Sequence, residues 1–265
     1  MDLSALTASV ITLSKEVGEF IRQEALIFNR QHIEFKGLND LVSYVDKTAE
    51  EKIVSGLLKL LPDAGFITEE KTINKQSDLY TWIIDPLDGT TNFIHGIPTF
   101  SVSIALQYRE ELVLGVVYEI NRDECFSAFK GGGAFLNGEL IRVSEARKIA
   151  DTLLATGFPY NNFEKQEPYL EVFKELMKSC HGLRRIGSAA VDLAYVAAGR
   201  FDGYFEYNLN SYDIAAGIVL VKEAGGDVSD FSGGNAMFKK REILATNGMI
   251  TDEILEVIIR HFKYD

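Results

Sequence analysis

An acidic segment in the first half of the chain carries the strongest chemical signal. Between Trp82 and Phe93 an apolar run is followed by Asp85, Pro86 and Asp88. Proline fixes the backbone, and a spacing of three residues can aim both carboxylates and an intervening carbonyl at one point. Mg²⁺ prefers hard oxygen ligands of this kind. The segment therefore predicts a divalent-cation site, although Asp-Pro and Asp-Gly are also ordinary turn residues.

Further acids stand at the ends of other predicted elements. Glu69 and Glu70 end an apparent strand at Phe66–Ile67, and Asp213 begins an apolar helix whose small residues permit close approach. Residues 89–91 would open a short helix whose free N–H groups can meet phosphate oxygens. Several acids at strand and helix ends favour a metal site over a set of unrelated turns.

The net charge of the chain restricts its partners. Its 265 residues include 27 basic and 39 acidic side chains, which gives a formal net charge of -12. Such a field repels nucleic-acid backbones, and because no basic stripe offsets it, we expect no nucleic-acid partner. The same field would repel a small phosphorylated substrate. Bound cations would therefore have to reverse the local sign at a phosphate-binding site.

The sequence contains no signal for a membrane or an oxidising compartment. Cys125 and Cys180 show no zinc or redox spacing and predict reduced structural thiols. The N-terminus lacks a charged region followed by an apolar one, and no apolar run approaches the ~20 residues of a membrane span. We expect a cytoplasmic protein with no membrane partner.

The first part of the chain predicts helices followed by a sheet. Amphipathic helices are predicted over Leu3–Ile21 and Leu41–Leu60, and the polar stretch 29–39 between them is interpreted as a loop. The apolar run Tyr80–Ile84 predicts a buried strand. Gly131–Gly133 predicts a hairpin turn rather than a phosphate cradle, because no Lys-Ser/Thr pair follows. Three β-rich runs predict an antiparallel meander: 101–107, 112–118 and 124–129.

The second part predicts alternating strands and helices. The predicted strands are 152–155, 201–205, a strand at Val228, and 243–246. The predicted helices are 167–179, 189–198, 212–224 and 251–262, the last capped by Thr251. No repeat or proline-rich linker divides the chain. We therefore expect one compact unit, in which residues 1–150 carry the metal-binding motif and residues 151–265 complete the active site.

Motifs spread over almost the whole chain resemble the inositol monophosphatase family, within the lithium-sensitive, magnesium-dependent phosphatases that include fructose bisphosphatases. The most specific pair is Asp-Pro-Leu-Asp-Gly-Thr at 85–90 with Tyr-Asp-Ile-Ala-Ala-Gly at 212–217. Other matching elements are 39–42 with Asp46, 68–70, 187–193, 199–203 and Glu206. The resemblance implies a fold of the α/β (α+β) class, a layered α-β-α-β-α sandwich, and a homodimer. Tyr212 and Thr68 depart from the Trp and Gly of many relatives.

The resemblance also implies a set of metal ligands. Glu69, Asp85 and the Leu87 carbonyl would hold one magnesium ion. Asp85 would bridge to a second ion that Asp88 and Asp213 complete, and a third, looser ion is expected near Glu69. Two such ions can hold a phosphate dianion, generate hydroxide from bound water and stabilise the leaving alkoxide.

Catalytic and substrate-binding residues follow from the same resemblance. Thr90 would position and activate the attacking water, Asp46 would accept a hydrogen bond from its hydroxyl, and Glu69 would take part through the metal. Lys36 matches a lysine in a family loop. The implied substrate-binding residues are Asp88, Gly89, Thr90, Gly187, Ser188, Ala189, Glu206 and Asp213, with the substrate alcohol facing Asp88, Ala189 and Glu206.

The implied activity is magnesium-dependent hydrolysis of myo-inositol monophosphate to inositol and phosphate. Fructose-1,6-bisphosphatase or 3'-phosphoadenosine-5'-phosphate phosphatase activity is an alternative within the same chemistry. A catalytically silent regulator that binds polyol phosphates is an alternative of another class, and it would have lost a metal ligand or the Thr90–Asp46 pair. Arg184 and Arg185 bear on the substrate, because an arginine that points into the cleft would favour a bisphosphate.

Overall fold

Two long helices cover one face of the larger sheet. The computed structural model describes residues 1–28, 34–37, 40–159 and 162–262, with only the backbone of 34–37 and 40–42. Helix α1 (Leu3–Ile27) buries a stripe that includes Val10, Val17 and Ile21. Helix α2 (Tyr44–Leu60) packs beside it. Because the stripes recur at helical spacing, both helices share one apolar core with the sheet beneath them.

The larger sheet has seven strands in the order β3-β4-β5-β6-β7-β8-β9. Strands β3 and β4 are parallel, and all later neighbours are antiparallel. The predicted meander and the turn at Gly131–Gly133, between β7 and β8, are therefore confirmed. The strands are β3 (Gly65–Thr68), β4 (Tyr80–Asp88), β5 (Ser101–Tyr108), β6 (Glu111–Glu119), β7 (Glu124–Phe129), β8 (Gly133–Leu136) and β9 (Glu139–Ile141).

Helices α5 (Ala189–Ala197) and α6 (Ser211–Glu223) lie between the two sheets. Both are apolar around most of their circumference because they are covered on both sides. The packing is close: a Cβ at Gly115 in β6 would lie 2.5 Å from the Ala216 carbonyl oxygen of α6. The core around these helices includes residues from both sides of residue 150.

The smaller sheet has five strands in the order β11-β10-β12-β14-β13. Strand β10 is parallel to β11 and β12, whereas β14 is antiparallel to β12 and β13. Helices α4 (Gln166–Ser179) and α8 (Thr251–His261) cover its outer face and share an apolar core with it. The strands are β10 (Leu153–Thr156), β11 (Gly182–Arg184), β12 (Gly203–Tyr207), β13 (Asp227–Ser229) and β14 (Glu242–Thr246).

The order of layers is thus helices, seven-stranded sheet, helices, five-stranded sheet, helices, which confirms the predicted α-β-α-β-α sandwich. Short helices α3 (Thr90–His95) and α7 (Met237–Lys240) lie outside these layers. None of the helices in the described residues is long and apolar enough to cross a membrane.

The segment before α2 differs from the sequence prediction. Strands β1 (Glu34–Gly37) and β2 (Asp40–Val42) form an antiparallel pair where residues 29–39 were predicted as a loop. The rest of that predicted loop, residues 29–33, 38 and 39, lies outside the described residues. Helix α2 begins at Tyr44 rather than Leu41, because Ser43 adopts an extended backbone and caps the helix.

Two predictions in the second part were wrong in detail. The strand predicted at 201–205 is β12, so Glu206 lies within the strand rather than at its end. Thr251 does not cap α8: it is the first helical residue, and the N-cap residue, Ile250, offers no side-chain hydrogen bond. Instead the Thr251 hydroxyl lies 2.6 Å from the Thr246 hydroxyl at the end of β14.

Candidate active site

Strand β4 brings two acids to one edge of the larger sheet. Its pairing with β5 is irregular between Asp85 and Asp88, and this bulge redirects the chain. Asp85 is buried, and its Oδ1 accepts a hydrogen bond from the Leu87 amide at 3.0 Å. Gly89 then turns the chain with φ of 93°, where a Cβ would lie 3.1 Å from the Thr99 carbonyl oxygen. Glycine is therefore needed to begin α3 directly after Asp88.

Glu69 follows directly on β3, the neighbour of β4. Its backbone N–H donates to the Ile84 carbonyl at 3.3 Å, which extends the strand pairing by one residue. Because Ile84 precedes Asp85, this bond sets the two acids on adjacent strands at the same edge.

The predicted Asp46–Thr90 pair is formed. Asp46 is the third residue of α2, and its Oδ2 accepts from the Ser43 amide at 2.9 Å and the Ser43 hydroxyl at 2.7 Å, a capping box. The other oxygen, Oδ1, lies 2.9 Å from the Thr90 hydroxyl, which is also 2.9 Å from the Leu87 carbonyl. Burial raises the pKa of Asp46, and the bonds from Ser43 and Thr90 oppose that shift.

A second capping box orients Asp213. This acid is the third residue of α6, and its Oδ2 accepts from the Asn210 amide at 2.6 Å. Its Oδ1 accepts no hydrogen bond from the described residues, and the side chain lines the cleft. The same local motif thus fixes two of the predicted functional carboxylates, Asp46 and Asp213.

Asp88 connects β4 to the central helices. Its Oδ2 accepts from the Ser188 hydroxyl at 2.6 Å and from the Ala190 amide at 2.7 Å. Ser188 is the N-cap residue of α5, so its hydroxyl faces both its own helix and Asp88. Ser188 therefore orients Asp88, a role that the sequence analysis did not predict.

The Glu206 side chain extends from β12 into the cleft and lies against Gly157. A Cβ at Gly157 would lie 1.9 Å from Glu206 Oε2, so any side chain there would displace the carboxylate. The Tyr204 hydroxyl donates to the same oxygen. Burial raises the pKa of Glu206 to about 7, against the hydrogen bond from Tyr204 and the positive charge of Arg185.

These residues surround one cleft of about 170 Å³. Asp46 does not line it but lies behind Thr90, to which it is hydrogen-bonded. The structure therefore brings the whole predicted set together around one space, while the role of each residue stays a prediction. The predicted site residues that line the cleft are Glu69, Asp85, Leu87, Asp88, Gly89, Thr90, Gly187, Ser188, Ala189, Glu206 and Asp213.

The acids of the cleft repel one another. Burial raises the pKa of Asp85 well above its ordinary value, and the charge of Glu69 raises it further, followed by those of Asp88 and Asp213. Burial also raises the pKa of Asp213 well above its ordinary value, although the bond from Asn210 opposes the shift. Burial raises the pKa of Asp88 to about 6 against the hydrogen bonds it accepts. Burial and the neighbouring carboxylates therefore act together against ionisation of these acids.

The donor chemistry of the cleft fits a hard divalent cation. Asp85 and Asp213 each use one carboxylate oxygen for a backbone N–H, and the other accepts no hydrogen bond from the described residues. No group of three or more His, Cys, Asp or Glu side chains within the described ranges is already gathered closely enough to form a metal cluster. The carboxylate oxygens that accept no hydrogen bond from the described residues are hard donors of the kind that Mg²⁺ prefers.

The sequence left open whether Arg184 or Arg185 points into the cleft, and the structure distinguishes them. Arg184 is exposed and donates to the Leu183 carbonyl at 3.1 Å, and it does not line the cleft. Arg185 does line the cleft, and its charge lowers the pKa of Glu206 and Asp192. The side chain of Lys36 lies outside the described residues.

Sequence reasoning missed a buried acid that supports the site. Glu50 lies one helical turn after Asp46 in α2 and is fully buried. Its carboxylate accepts from the Glu70 amide at 2.7 Å and from the Thr72 amide and hydroxyl, each at 2.8 Å. It therefore fixes the loop that directly follows Glu69. The spacing of four residues from Asp46 places both acids on one helix face and was the available signal.

Arg241 and Asp192 also line the cleft without having been predicted. Arg241 donates from Nε to the Leu209 carbonyl and from Nη2 to the Asn208 carbonyl, each at 3.0 Å. It thereby braces the segment between Glu206 and α6. Nothing local in the sequence indicates this, because the contact joins positions about thirty residues apart.

Comparison with known proteins agrees with the geometry. The sequence model of the inositol monophosphatase family matches residues 2–263. The inositol-1-monophosphatase of Mesorhizobium japonicum is 40% identical over 259 residues, 97% of each chain. The Nus factor SuhB of Escherichia coli K12 is 47% identical over 221 residues, 83% of each chain. The solved structure of the extragenic suppressor protein SuhB from Bartonella henselae matches with a TM-score of 0.91 at 41% identity, over 96% of this chain and 98% of that one. The chain therefore belongs to the inositol monophosphatase family.

Proposed function

We propose that the protein is a magnesium-dependent phosphomonoesterase that hydrolyses myo-inositol monophosphate to inositol and phosphate. The observation that carries the proposal is the Thr90 hydroxyl, which lies against buried Asp46 on one side and lines the acidic cleft on the other. A hydroxyl with a fixed acceptor behind it can accept a hydrogen bond from a water in the cleft. The residues for hydrolysis by water are thus present, and no side-chain nucleophile is required.

In this proposal Thr90 and Asp46 act on the attacking water. Thr90 Oγ1 accepts a hydrogen bond from the water and donates its own proton toward Asp46 Oδ1. The two bonds from Ser43 keep Asp46 in place, and burial leaves it without competing solvent. General-base assistance of this kind contributes roughly 10²–10⁴-fold to a rate.

Two to three magnesium ions complete the proposed site. Glu69, Asp85, the Leu87 carbonyl, Asp88 and Asp213 would hold them. Bound magnesium supplies Lewis-acid chemistry, lowering the pKa of water and offsetting the charge of phosphate. The Thr90 amide at the start of α3 would meet a phosphate oxygen. The Gly89 amide is proposed for the same role.

The alcohol of the substrate would face Glu206, Ala189 and Asp88. Glu206 is aimed into the cleft by Gly157 and Tyr204, and a carboxylate accepts hydrogen bonds from ring hydroxyls. The cleft of about 170 Å³ is smaller than the roughly 300–1,000 Å³ of pockets for drug-sized ligands. This size is compatible with a small polyol.

A substrate panel tests the proposal. Phosphate release is measured with myo-inositol 1-phosphate, fructose 1,6-bisphosphate and 3'-phosphoadenosine 5'-phosphate in competition at one magnesium concentration. We expect the inositol ester to have the highest kcat/KM and chelation by EDTA to stop release. A bisphosphate preference of tenfold or more, about 1.4 kcal/mol in transition-state binding, would overturn the inositol assignment and leave the metal chemistry standing.

A sugar bisphosphate is the second candidate substrate, and two observations favour it. Arg185 and Arg241 both line the cleft, and a hollow of about 340 Å³ adjoins it and shares Arg241 and Tyr212. Against it, the charge of Arg185 already acts on two buried acids, Glu206 and Asp192. Comparing Arg185→Ala with Arg184→Ala decides the matter. If the bisphosphate is a substrate, only Arg185→Ala lowers its kcat/KM more than that of the inositol ester.

Regulation is a candidate function of another class. It is suggested by relatives named Nus factor SuhB, of which the Escherichia coli protein is 47% identical. The Thr90–Asp46 pair and the cleft acids are intact here, whereas a catalytically silent regulator has no need of them. Absence of phosphate release from every ester in the panel, with magnesium bound, would favour the regulator.

We also propose that two copies associate as a homodimer. Leu170, Phe173 and Met177 recur along the outer side of α4, and Met177 is 53% exposed. Phe158 contacts Phe173 with ring centroids 5.9 Å apart and a tilt of 56° between the rings, and it is also exposed. An apolar stripe of this kind indicates an interface. Light scattering after size exclusion should give twice the chain mass, and Met177→Asp should shift it toward the monomer.

A further inference from the structure

Asp192 is a buried acid in the wall of the cleft. It lies in the first turn of α5 and is 2% exposed, and it lines the cleft together with Glu206 and Arg185. Its Oδ1 is buried and accepts no hydrogen bond from the described residues. Its backbone N–H donates to the Ser188 carbonyl at 3.0 Å, so the position of the side chain is fixed by the helix.

The surroundings of Asp192 do not explain why an acid is there. Burial raises the pKa of Asp192 well above its ordinary value, and the charges of Glu206 and Asp88 raise it further. Arg185 lowers it only through its charge, and that charge also acts on Glu206. The start of a helix favours an acid only modestly. A buried polar atom without a partner destabilises a protein, so such an atom needs an explanation, and a functional role is one of them.

A polyhydroxylated alcohol would supply the missing donors. Each ring hydroxyl donates one hydrogen bond, and a carboxyl in the wall of a small cleft can accept from it. Glu206 in β12 and Asp192 in α5 reach the same cleft from different elements. Two acceptors on separate rigid elements can distinguish a polyol from an alcohol with a single oxygen.

We propose that Asp192 is a substrate-binding residue that accepts a hydrogen bond from a hydroxyl of the polyol, beside the hydroxyl bound by Glu206. The proposal rests on the phosphomonoesterase function proposed above and adds a specificity-determining residue to it. It is distinct from metal binding, because Asp192 is not among the residues proposed to hold magnesium.

Paired substrates test this role. The ratio of kcat/KM for myo-inositol 1-phosphate to that for phenyl phosphate, whose alcohol has no further hydroxyl, is measured at saturating magnesium. We expect Asp192→Ala to lower the ratio about tenfold, equivalent to about 1.4 kcal/mol. Asp192→Asn should recover most of the loss, because an amide also bonds to hydroxyls. Asp63→Asn, an exposed acid that does not line the cleft, should leave the ratio unchanged.

Stability supplies an independent readout. Asn has the size of Asp but no charge, so the melting temperature of Asp192→Asn in EDTA should equal or exceed that of the wild type. A lower melting temperature would show that the carboxyl has a structural partner, and it would overturn the proposal. A ratio within twofold of wild type in Asp192→Ala would also overturn it. If the wild type releases phosphate from neither ester, the proposed function itself fails.

Discussion

The aspartates of the cleft and the aspartate of the loop after β13 have opposite environments. In the cleft, buried Asp85 and half-buried Asp88 and Asp213 lie near one another and near Glu69. In the loop after β13, Asp230 is as buried as Asp85. Yet it accepts hydrogen bonds at 2.6–3.3 Å from four donors, Ser232 Oγ and the amides of Ser232, Gly234 and Ala236. The Lys240 ammonium lies 3.1 Å from the same carboxylate.

The pKa directions follow from these surroundings. Burial alone would raise the pKa of Asp230, but the bonds from Ser232, Ala236 and Lys240 outweigh it, and the pKa falls well below its ordinary range. In the cleft, burial and mutual repulsion act in the same direction, and the pKa of Asp85 rises well above its ordinary value. The loop therefore contains its own donors, whereas the acids of the cleft face one another's charge.

The difference distinguishes a structural acid from a functional one. Asp230 stabilises the fold by organising a turn. The cleft acids destabilise the metal-free protein, and a sequence keeps such groups where function requires them. Each variant below changes either the cleft or the loop that contains Asp230, and the unchanged region serves as the control.

The largest effect is expected for Asp85→Asn. An amide cannot neutralise two dications, so we expect kcat/KM to fall at least about a hundredfold, because the metals contribute several kcal/mol to transition-state stabilisation. The measurement is phosphate release across a magnesium titration. Since one repelling charge is removed, the melting temperature in EDTA should not fall. Near-normal turnover at saturating magnesium would rule out a bridging role for Asp85.

The Thr90 hydroxyl should have the next largest effect. Thr90→Ala removes the group that the Asp46 carboxylate orients, so kcat should fall by roughly 100-fold while KM changes little. Thr90→Ser keeps the hydroxyl and should retain most of the rate. If Thr90→Ala changes KM alone, Thr90 binds the substrate and does not assist the water.

On the other side of the comparison, Asp230→Ala should unfold more easily without losing activity. It leaves buried amides and the Lys240 ammonium without their acceptor, so the free energy of unfolding in urea should fall by about 2–4 kcal/mol. The kcat/KM for the inositol ester should stay at the wild-type value. A fall in kcat/KM in protein that is still fully folded would show that the loop contributes to the cleft.

The pH dependence of stability should separate the two groups. Folded-state pKa values are raised in the cleft, to about 6 for Asp88 and about 7 for Glu206. Their stabilising contribution is complete below the ordinary carboxyl pKa and is lost as the pH rises through these values. In EDTA the free energy of unfolding should therefore decrease by on the order of 3 kcal/mol from pH 4 to pH 8 through the cleft acids.

Asp230 should contribute with the opposite sign. Its pKa is lowered, so its stabilisation is present above the ordinary carboxyl pKa and is lost as the pH falls below it. Saturating magnesium should abolish the decrease between pH 6 and 8, because it binds the deprotonated cleft. Asp230→Ala should keep that decrease and lose part of the destabilisation at acid pH. A wild-type curve in EDTA that is flat from pH 5 to 8 would contradict the raised values.

Local chemistry explains which parts of the site the sequence predicts. Asp85 and Asp88 follow an apolar strand and a proline, so both the strand and the turn can be read within a few residues. The β1–β2 pair was missed because its strands have only four and three residues and depend on each other. Glu206 was placed at a strand end because the apolar run starts at Phe201, whereas pairing with β14 sets the strand at Gly203–Tyr207.

Contacts between distant positions account for the rest. Ser188 and Asp88 are one hundred residues apart. Gly157 follows β10 and lies against Glu206 of the neighbouring strand β12. The Asp46–Thr90 pair was expected only through the family resemblance, since the two residues lie on separate helices. The sequence shows Asp192 as part of a motif, but whether its carboxylate has a hydrogen-bond partner depends on packing.

A direct measurement of magnesium binding tests the central claim, that the cleft acids bind divalent cations. Isothermal titration calorimetry of EDTA-treated, dialysed wild-type protein at pH 7.5 should give two or more magnesium ions per chain. Asp85→Asn should bind fewer and more weakly, and Asp230→Ala should match the wild type. Absence of magnesium binding to the folded wild type, or equal binding by wild type and Asp85→Asn, would contradict the account.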